Sequence, residues 1–409
     1  MIPRPDLCDA RTPGGVEVFQ LTNDPALPSC HLYMEAQVFT PDSRRFLLHR
    51  SAHAHDSDRT DPRHRYQVCD LENDGALTDL TTEVGATAPS VTPDGATVYY
   101  FIDESTPGVG RVTLKRVKLD GSARETVLVI DSPLPGTHFR PSQLYPLSTI
   151  SSDGNRLALS CFLGDGVSEG APWGLLVFDL PRAEVRLVVA GPTWCNMHPQ
   201  YCRSRDADAA HDILIQENHG SYCSATGEIL TLVSGAGADI HVIRDDGMHF
   251  RNLPWGRNGE EYCQGHQCWL GSSQRAITST WVSSTRECQL IAGDAAPFLD
   301  HHGIATPEST RIELSRHFPN PQFYHFATDS AGARLITDSG QNDNGGSLYL
   351  AALPAGAETP IAEFTYLLSP RASWQPNCHI HPFLSPDGRK GFFNSDESGT
   401  LQAYMVRLP

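Results

Sequence analysis

The 409-residue chain carries 48 acidic and 31 basic side chains, a formal charge of −17, with 39% hydrophobic and 19% charged residues. That is a globular mixture, and the acidic excess, with no basic cluster to offset it, argues against nucleic acid as a partner, although a local site can still hold an anion. No run of about 18 apolar residues offers a membrane helix, and the opening MIPRPDLCDARTPGG has no apolar stretch of the kind a signal peptide needs.

In chain order, one pattern returns seven times. FTPDSRRFLLH (39–49) is followed by VTPDGATVYYF (91–101), ISSDGNRLALS (150–160), SRDADAAHDILIQ (204–216), WLGSSQRAITST (269–280), ATDSAGARLITDS (327–339) and LSPDGRKGFFNSD (384–396). Each is a tight polar turn leading into an alternating apolar strand, the signature of a hairpin. The anchors Asp42, Asp94, Asp153, Asp206, Ser272, Asp329 and Asp387 stand 52 to 66 residues apart. A further strand–turn–strand follows most copies, as in WGLLVFDLPRAEVRLVVA (173–190). Four strands per unit is the content of a propeller blade.

These repeats predict an all-β fold, a seven-bladed β-propeller spanning 1–409 as one domain. After the last copy only LQAYMVRLP remains, one strand short of a blade. The early strand within 15–22 is expected to complete it, closing the circle by pairing the N- and C-terminal strands and removing an exposed edge. The 34 glycines and 30 prolines suit such a turn-rich chain. Eleven scattered cysteines, with no CxxC pair, read as reduced thiols in a cytoplasmic protein.

In a blade the strand before the polar turn lines the central channel, and a proline is tolerated on its free edge. In the last four units that strand carries histidine: His198 in MHPQY, His266 in CQGHQCW, His325 in FYHFATD, and His379 with His381 in CHIHPF. Equal phase in the repeat becomes convergence around the axis, and His379 and His381 share a strand face. Neutral imidazoles brought together this way suit a divalent metal, with an amide or water completing the shell. Gln375 and Asn377 are the nearby amides. The remaining histidine-rich stretches, HRSAHAHDSD (49–58) and DHH (300–302), read as solvated loops.

EEYCQGHQCW (260–269), YHFATDSAGARLITDSG (324–340) and CHIHPFLSPDGRKGFFNSDESG (378–399) resemble the oligogalacturonate lyase family, with weaker support from YMEAQVFTPDSRRFLL and TWCNMHPQY. The resemblance implies a seven-bladed propeller that cleaves small uronic-acid-containing oligosaccharides by β-elimination. It implies a divalent metal, most often Mn²⁺, on three histidines and a glutamine. The histidines map to His325, His379 and His381. The family's glutamine falls on Pro376, so Gln375, one residue upstream, is assigned to that role. His266 matches the family's catalytic base, and His198 joins it as a catalytic candidate from the shared phase.

The family's catalytic arginine falls on Asp239, which shares a strand face with His241. Both are therefore candidate catalytic groups, and an arginine from elsewhere (Arg203, Arg251 or Arg257) could compensate. A carboxylate cannot bind an anion as a guanidinium does. An isomerase or epimerase, or an elimination on another glycoside, therefore stands as an alternative, with a non-catalytic binding scaffold as a third reading. The absence of a G-x-S-x-G elbow, a P-loop or a dinucleotide fingerprint argues against those chemistries.

Overall fold

The computed structural model describes residues 1–34, 36–235, 237–255, 261–282, 287–295, 310–315, 318, 322–339, 345–353, 364–374 and 378–409. Among the described residues the chain forms seven antiparallel blades in succession, the fourth and fifth joined in one sheet, and a two-stranded hairpin of Tyr222–Cys223 and Ile229–Thr231. The first takes Ser29–His31, Arg45–Arg50, Tyr66–Asp70 and Ala76–Asp79, ordered from the axis outward. The second and third run Ala86–Val91 to Glu125–Ile130 and Gln143–Ile150 to Glu184–Gly191. The fourth contains Gln200–Tyr201, Asp212–Asn218, Ala238–Arg244 and Arg251–Asn252; a single pairing of Ala238 with Cys263 links it to the fifth, Glu261–Trp269 to Ile312–Glu313. The sixth spans Phe323–Thr328 to Phe364–Leu368. Among the described residues the helical elements are three short 3₁₀ turns, and none is long and apolar enough to cross a membrane.

The seventh sheet draws on both ends of the chain. Phe383–Leu384, Lys390–Ser395 and Gln402–Arg407 are followed outward by Glu17–Gln20, which pairs antiparallel with Gln402–Arg407. Ile2–Pro3 adds a fifth strand outside it, which the sequence reading does not anticipate. Arg4 pins the junction, donating from Nη2 to Glu397 Oε2 at 2.8 Å and from Nη1 to Gln20 Oε1 at 3.1 Å. The seventh sheet meets the first where Asp387 N–H donates to Ser43 Oγ at 3.0 Å.

The repeated turn works the same way in four blades. The hydroxyls of Thr40, Thr92, Ser151 and Ser385 donate to Asp42, Asp94, Asp153 and Asp387 at 2.5 to 2.6 Å, an Asx/ST-type local closure. Gly154 then takes φ +74°, a left-handed conformation that glycine enters without steric cost.

Apolar side chains alternate along each strand and fill the layers between neighbouring blades. Leu157, Leu159 and Phe178 pack toward the second blade; Ala158, Leu175 and Val177 pack toward the fourth. The core is therefore a series of inter-blade layers, and the axis is left for polar groups.

Candidate metal centre

The innermost strands surround a cavity of about 1220 Å³. Its wall includes Tyr33, Tyr145, Trp173, Tyr262 and Trp281, together with His55, His198, His266, His325, His379 and His381. Five of these six histidines are the ones the repeat phase selects. Ring centroids lie 6.0 Å apart for His198 and His266, 4.6 Å for His266 and His325, 4.4 Å for His325 and His381, and 5.3 Å for His379 and His381. Tyr33, from the first blade, sits across from them, 5.1 Å from His198 and 4.8 Å from His381.

Backbone irregularities aim these side chains. The register shifts between Cys263 and Gln267, which brackets His266, between Phe323 and Phe326, which brackets His325, and between Leu144 and Ser148, which brackets Tyr145. Such bulges turn a side chain out of the regular pleat. Gly265 makes the first possible: at φ +106° it passes Gln216, whose amide nitrogen would lie 3.0 Å from a Cβ. His198 and His381 both precede proline, where an extended backbone is preferred, yet hold φ of +50° and +43°. Left-handed conformations of this kind cost on the order of 1–3 kcal/mol each and cluster at functional sites.

Burial keeps the imidazoles neutral. His266, His325 and His381 are held well below the ordinary histidine range, first by desolvation and then by neighbouring imidazoles. Burial, then His55, brings His379 down to about 4. His325 Nδ1 lies 2.6 Å from Asp338 Oδ2, and His325 N–H donates to Asp338 Oδ1 at 2.8 Å. A carboxylate behind the far nitrogen orients a histidine that ligates a metal through the near one. Burial pushes the Asp338 carboxyl up to about 8, against the backbone hydrogen bond from His325 and the nearby His379, which pull it down. His266 Nδ1 lies 3.5 Å from Gln264 Oε1; the tautomer with hydrogen on Nδ1 leaves Nε2 basic.

Two observations test whether the donor set fits a divalent ion. Among the described residues His379 Nδ1 and His381 Nε2 are buried without a hydrogen-bond partner, a condition that costs about 1–3 kcal/mol per group and that coordination would relieve. The ligand-capable atoms of His55, His379 and His381 all lie within 4.8 Å of one another. The donors are neutral imidazoles, a set that suits a transition-series dication.

The structure departs from several expectations. The stretch 49–58 is not a plain solvated loop: His55 belongs to the cavity, with its ring 4.7 Å from His379. The mutually close trio contains His55, whereas His325 lies beside it against His381. Asp239 and His241 share a face, as alternation requires, but they do not line the cavity. Their strand is third from the axis, so its faces look toward neighbouring blades: Ala238, Ile240 and Val242 pack toward the fifth, and Asp239 and His241 face the other way. There His219 Nε2 lies 2.9 Å from Asp239 Oδ2, and His241 Nε2 lies 3.2 Å from Glu217 Oε2.

Arg251 is ion-paired with Asp212 at 2.5 Å and Arg203 reaches the Thr328 carbonyl at 3.3 Å, neither in the cavity wall. Arg59, which the sequence reading passes over, lines the cavity, braced by Asp56 at 3.2 Å and Asp103 at 3.3 Å. Gln375, Asn377, Arg257 and 300–302 lie outside the described residues.

Fold and site together define a class: a seven-bladed β-propeller whose last blades, joined by a hairpin of the first, bring histidines into one central cavity. No family model matches the sequence, and no curated protein matches it. Solved structures do. An oligogalacturonate lyase in complex with manganese superposes with a TM-score of 0.70 at 19% identity, covering 98% of this chain and 95% of that one. The oligogalacturonate lyase of Vibrio parahaemolyticus gives 0.68 at 16% identity, covering 97% and 94%. A prolyl endopeptidase gives 0.51 at 12% identity, covering 93% of this chain and 51% of that one. At these identities the likeness establishes the fold, which is that of the two lyase structures over nearly their whole length.

Proposed function

We propose that the protein is a metal-dependent carbohydrate lyase that cleaves small uronic-acid-containing oligosaccharides by β-elimination. The observation that carries this reading is the placement of a buried, neutral His266 4.6 Å, ring to ring, from His325 in the histidine cluster suited to a metal. His379 and His381, with His325 beside them, would hold the ion, manganese on the precedent of the solved lyase. Bound there, the ion would act as a Lewis acid toward a substrate carboxylate and stabilise the charge that develops next to it.

The rest is the work of this chain's residues. His266 takes the proton from the carbon next to the carboxylate; an imidazole that stays neutral can do so near pH 7. The electron pair of that C–H bond forms the new C4–C5 double bond as the C4–O bond breaks, and the departing oxygen leaves with the C4–O pair and takes a proton from solvent. Tyr33, Tyr262 and Trp281 provide faces for a sugar ring, and holding it between base and ion supplies much of the acceleration. Eleven free thiols, all but Cys8 buried, support a cytoplasmic setting.

The test is metal content after gentle purification, followed by ultraviolet detection of the unsaturated uronate product from oligogalacturonates and other uronic oligosaccharides. Metal-loaded protein that releases no unsaturated product from any of them refutes the lyase reading.

A second reading, isomerisation or epimerisation, draws on one feature. Tyr145 Oη lies 3.0 Å from His198 Nε2 and donates to Asn196 Oδ1 at 2.7 Å. The dyad lies in the same cavity as His266, and two acid/base groups suit proton transfer on and off one carbon. Exchange of substrate hydrogen with deuterated solvent without bond cleavage would favour it.

A further inference from the structure

We propose that His55 is a protein ligand of the ion, so that the first blade holds the metal together with the seventh. The inference rests on the metal-centre reading above and adds a residue to the ligand set that the family resemblance implies.

His55 stands on a built platform. Ala52 and Ser57 pair as an isolated bridge, His53 N–H donates to the Asp56 carbonyl at 2.8 Å, and Asp58 N–H donates to the Ser51 carbonyl at 2.8 Å. His53 Nδ1 faces inward and accepts from Asp56 N–H at 3.2 Å. Asp56 is tied to Arg59, which reaches Asp103 on the second blade. The hairpin is thereby braced to two blades, and its outer imidazole lies over the axis. That ring meets His379 edge-on at 4.7 Å and stands 6.2 Å from His381.

The donor atoms fit one ion. Metal–nitrogen bonds of ~2.0–2.1 Å place ligand nitrogens at most about 4 Å apart. A trio already within 4.8 Å needs only small ring rotations to close. Two nitrogens of these residues, His379 Nδ1 and His381 Nε2, have no hydrogen-bond partner among the described residues. His55 is solvent-exposed while His381 is buried, so an ion here would be reached from the open side and would fasten the hairpin to the channel wall. An added imidazole in place of an oxygen donor also shifts relative preference toward borderline ions such as Zn²⁺.

Calorimetric titration of the metal-free protein with Mn²⁺ and with Zn²⁺, paired with hydrogen exchange over residues 51–65, tests this without a substrate. His55→Ala should weaken binding by more than the ~10–100-fold typical of losing an outer-shell partner, with the larger loss for zinc. His55→Gln should recover manganese binding more than zinc binding. Metal should protect 51–65 in the wild type and not in His55→Ala, while the melting temperature of the metal-free variants stays that of the wild type. Unchanged affinity in His55→Ala overturns the role of His55 and leaves the metal centre standing. A wild type that binds neither ion overturns the metal centre, and this inference with it.

Discussion

Asp338→Asn isolates what the buried carboxylate does for His325. Asp338 is fully buried and meets one residue twice: Oδ1 accepts from the His325 backbone N–H at 2.8 Å, and Oδ2 lies 2.6 Å from the ring Nδ1, which donates to it in the tautomer that leaves Nε2 free for a metal. Asparagine keeps a single oxygen. If that oxygen goes on accepting the backbone N–H, the new amide NH₂ meets Nδ1 and forces the hydrogen onto Nε2, the nitrogen needed for the metal. The variant thus loses one buried hydrogen bond, worth about 0.5–1.5 kcal/mol, and pays in addition for the wrong tautomer. Together these should bring the loss of metal affinity into the roughly 10–100-fold range seen for outer-shell partners. Titration calorimetry with Mn²⁺ reads the affinity, and thermal unfolding of the metal-free protein confirms that the variant folds. Binding within about twofold of wild type in a folded Asp338→Asn protein, against that 10–100-fold expectation, would refute the argument that His325 ligates through a carboxylate-set orientation.

Three further outcomes are expected. His266→Ala should abolish proton abstraction while retaining the metal, measured as product formation against metal stoichiometry; loss of metal instead would move His266 into the ligand set. Deleting residues 1–22 removes Glu17–Gln20 from the seventh sheet and bares the edge of Gln402–Arg407. A lower melting temperature and light scattering from edge association should follow, and a soluble truncation that melts like the full chain would show that the end strands are dispensable. Desolvation holds His31 down to about 3, below its unfolded value of about 6.5. The unfolded chain therefore binds the extra proton, and the stability that His31 contributes, fully present above about pH 6.5, is lost as pH falls toward 3. Denaturant unfolding across that window should show the slope, and His31→Leu should reduce it, leaving the part due to the other buried histidines.

The propeller was legible because its grammar is local. A tight polar turn and an alternating strand return at similar spacing, and four of the copies close through the same short hydrogen bond. The convergence of His198, His266, His325, His379 and His381 was legible for the same reason, since equal phase around an axis becomes proximity. Asp239 and His241 show where this reasoning needs a second coordinate. Alternation puts them on one face, but only the distance of their strand from the axis tells whether that face sees the cavity or the next blade. His55 was missed because its contact joins the first unit to the last, and polar AHAHDSD has the composition of a solvated loop. One signal was present: His53-x-His55 has the spacing of His379-x-His381. The bulges and left-handed residues that aim the site follow from packing around the axis, and of these only Gly265 leaves a trace in the sequence.

Because Glu17–Gln20 lies in the same sheet as the strands that follow His379 and His381, strands that flank all the other blades in sequence must meet before the cavity has its full wall. A nascent chain, or one cut short near its end, would have several histidine-bearing blades but no enclosed pocket. Blades fold from local contacts and the junction from distant ones, so competence at the axis would arrive in one step, when that junction closes.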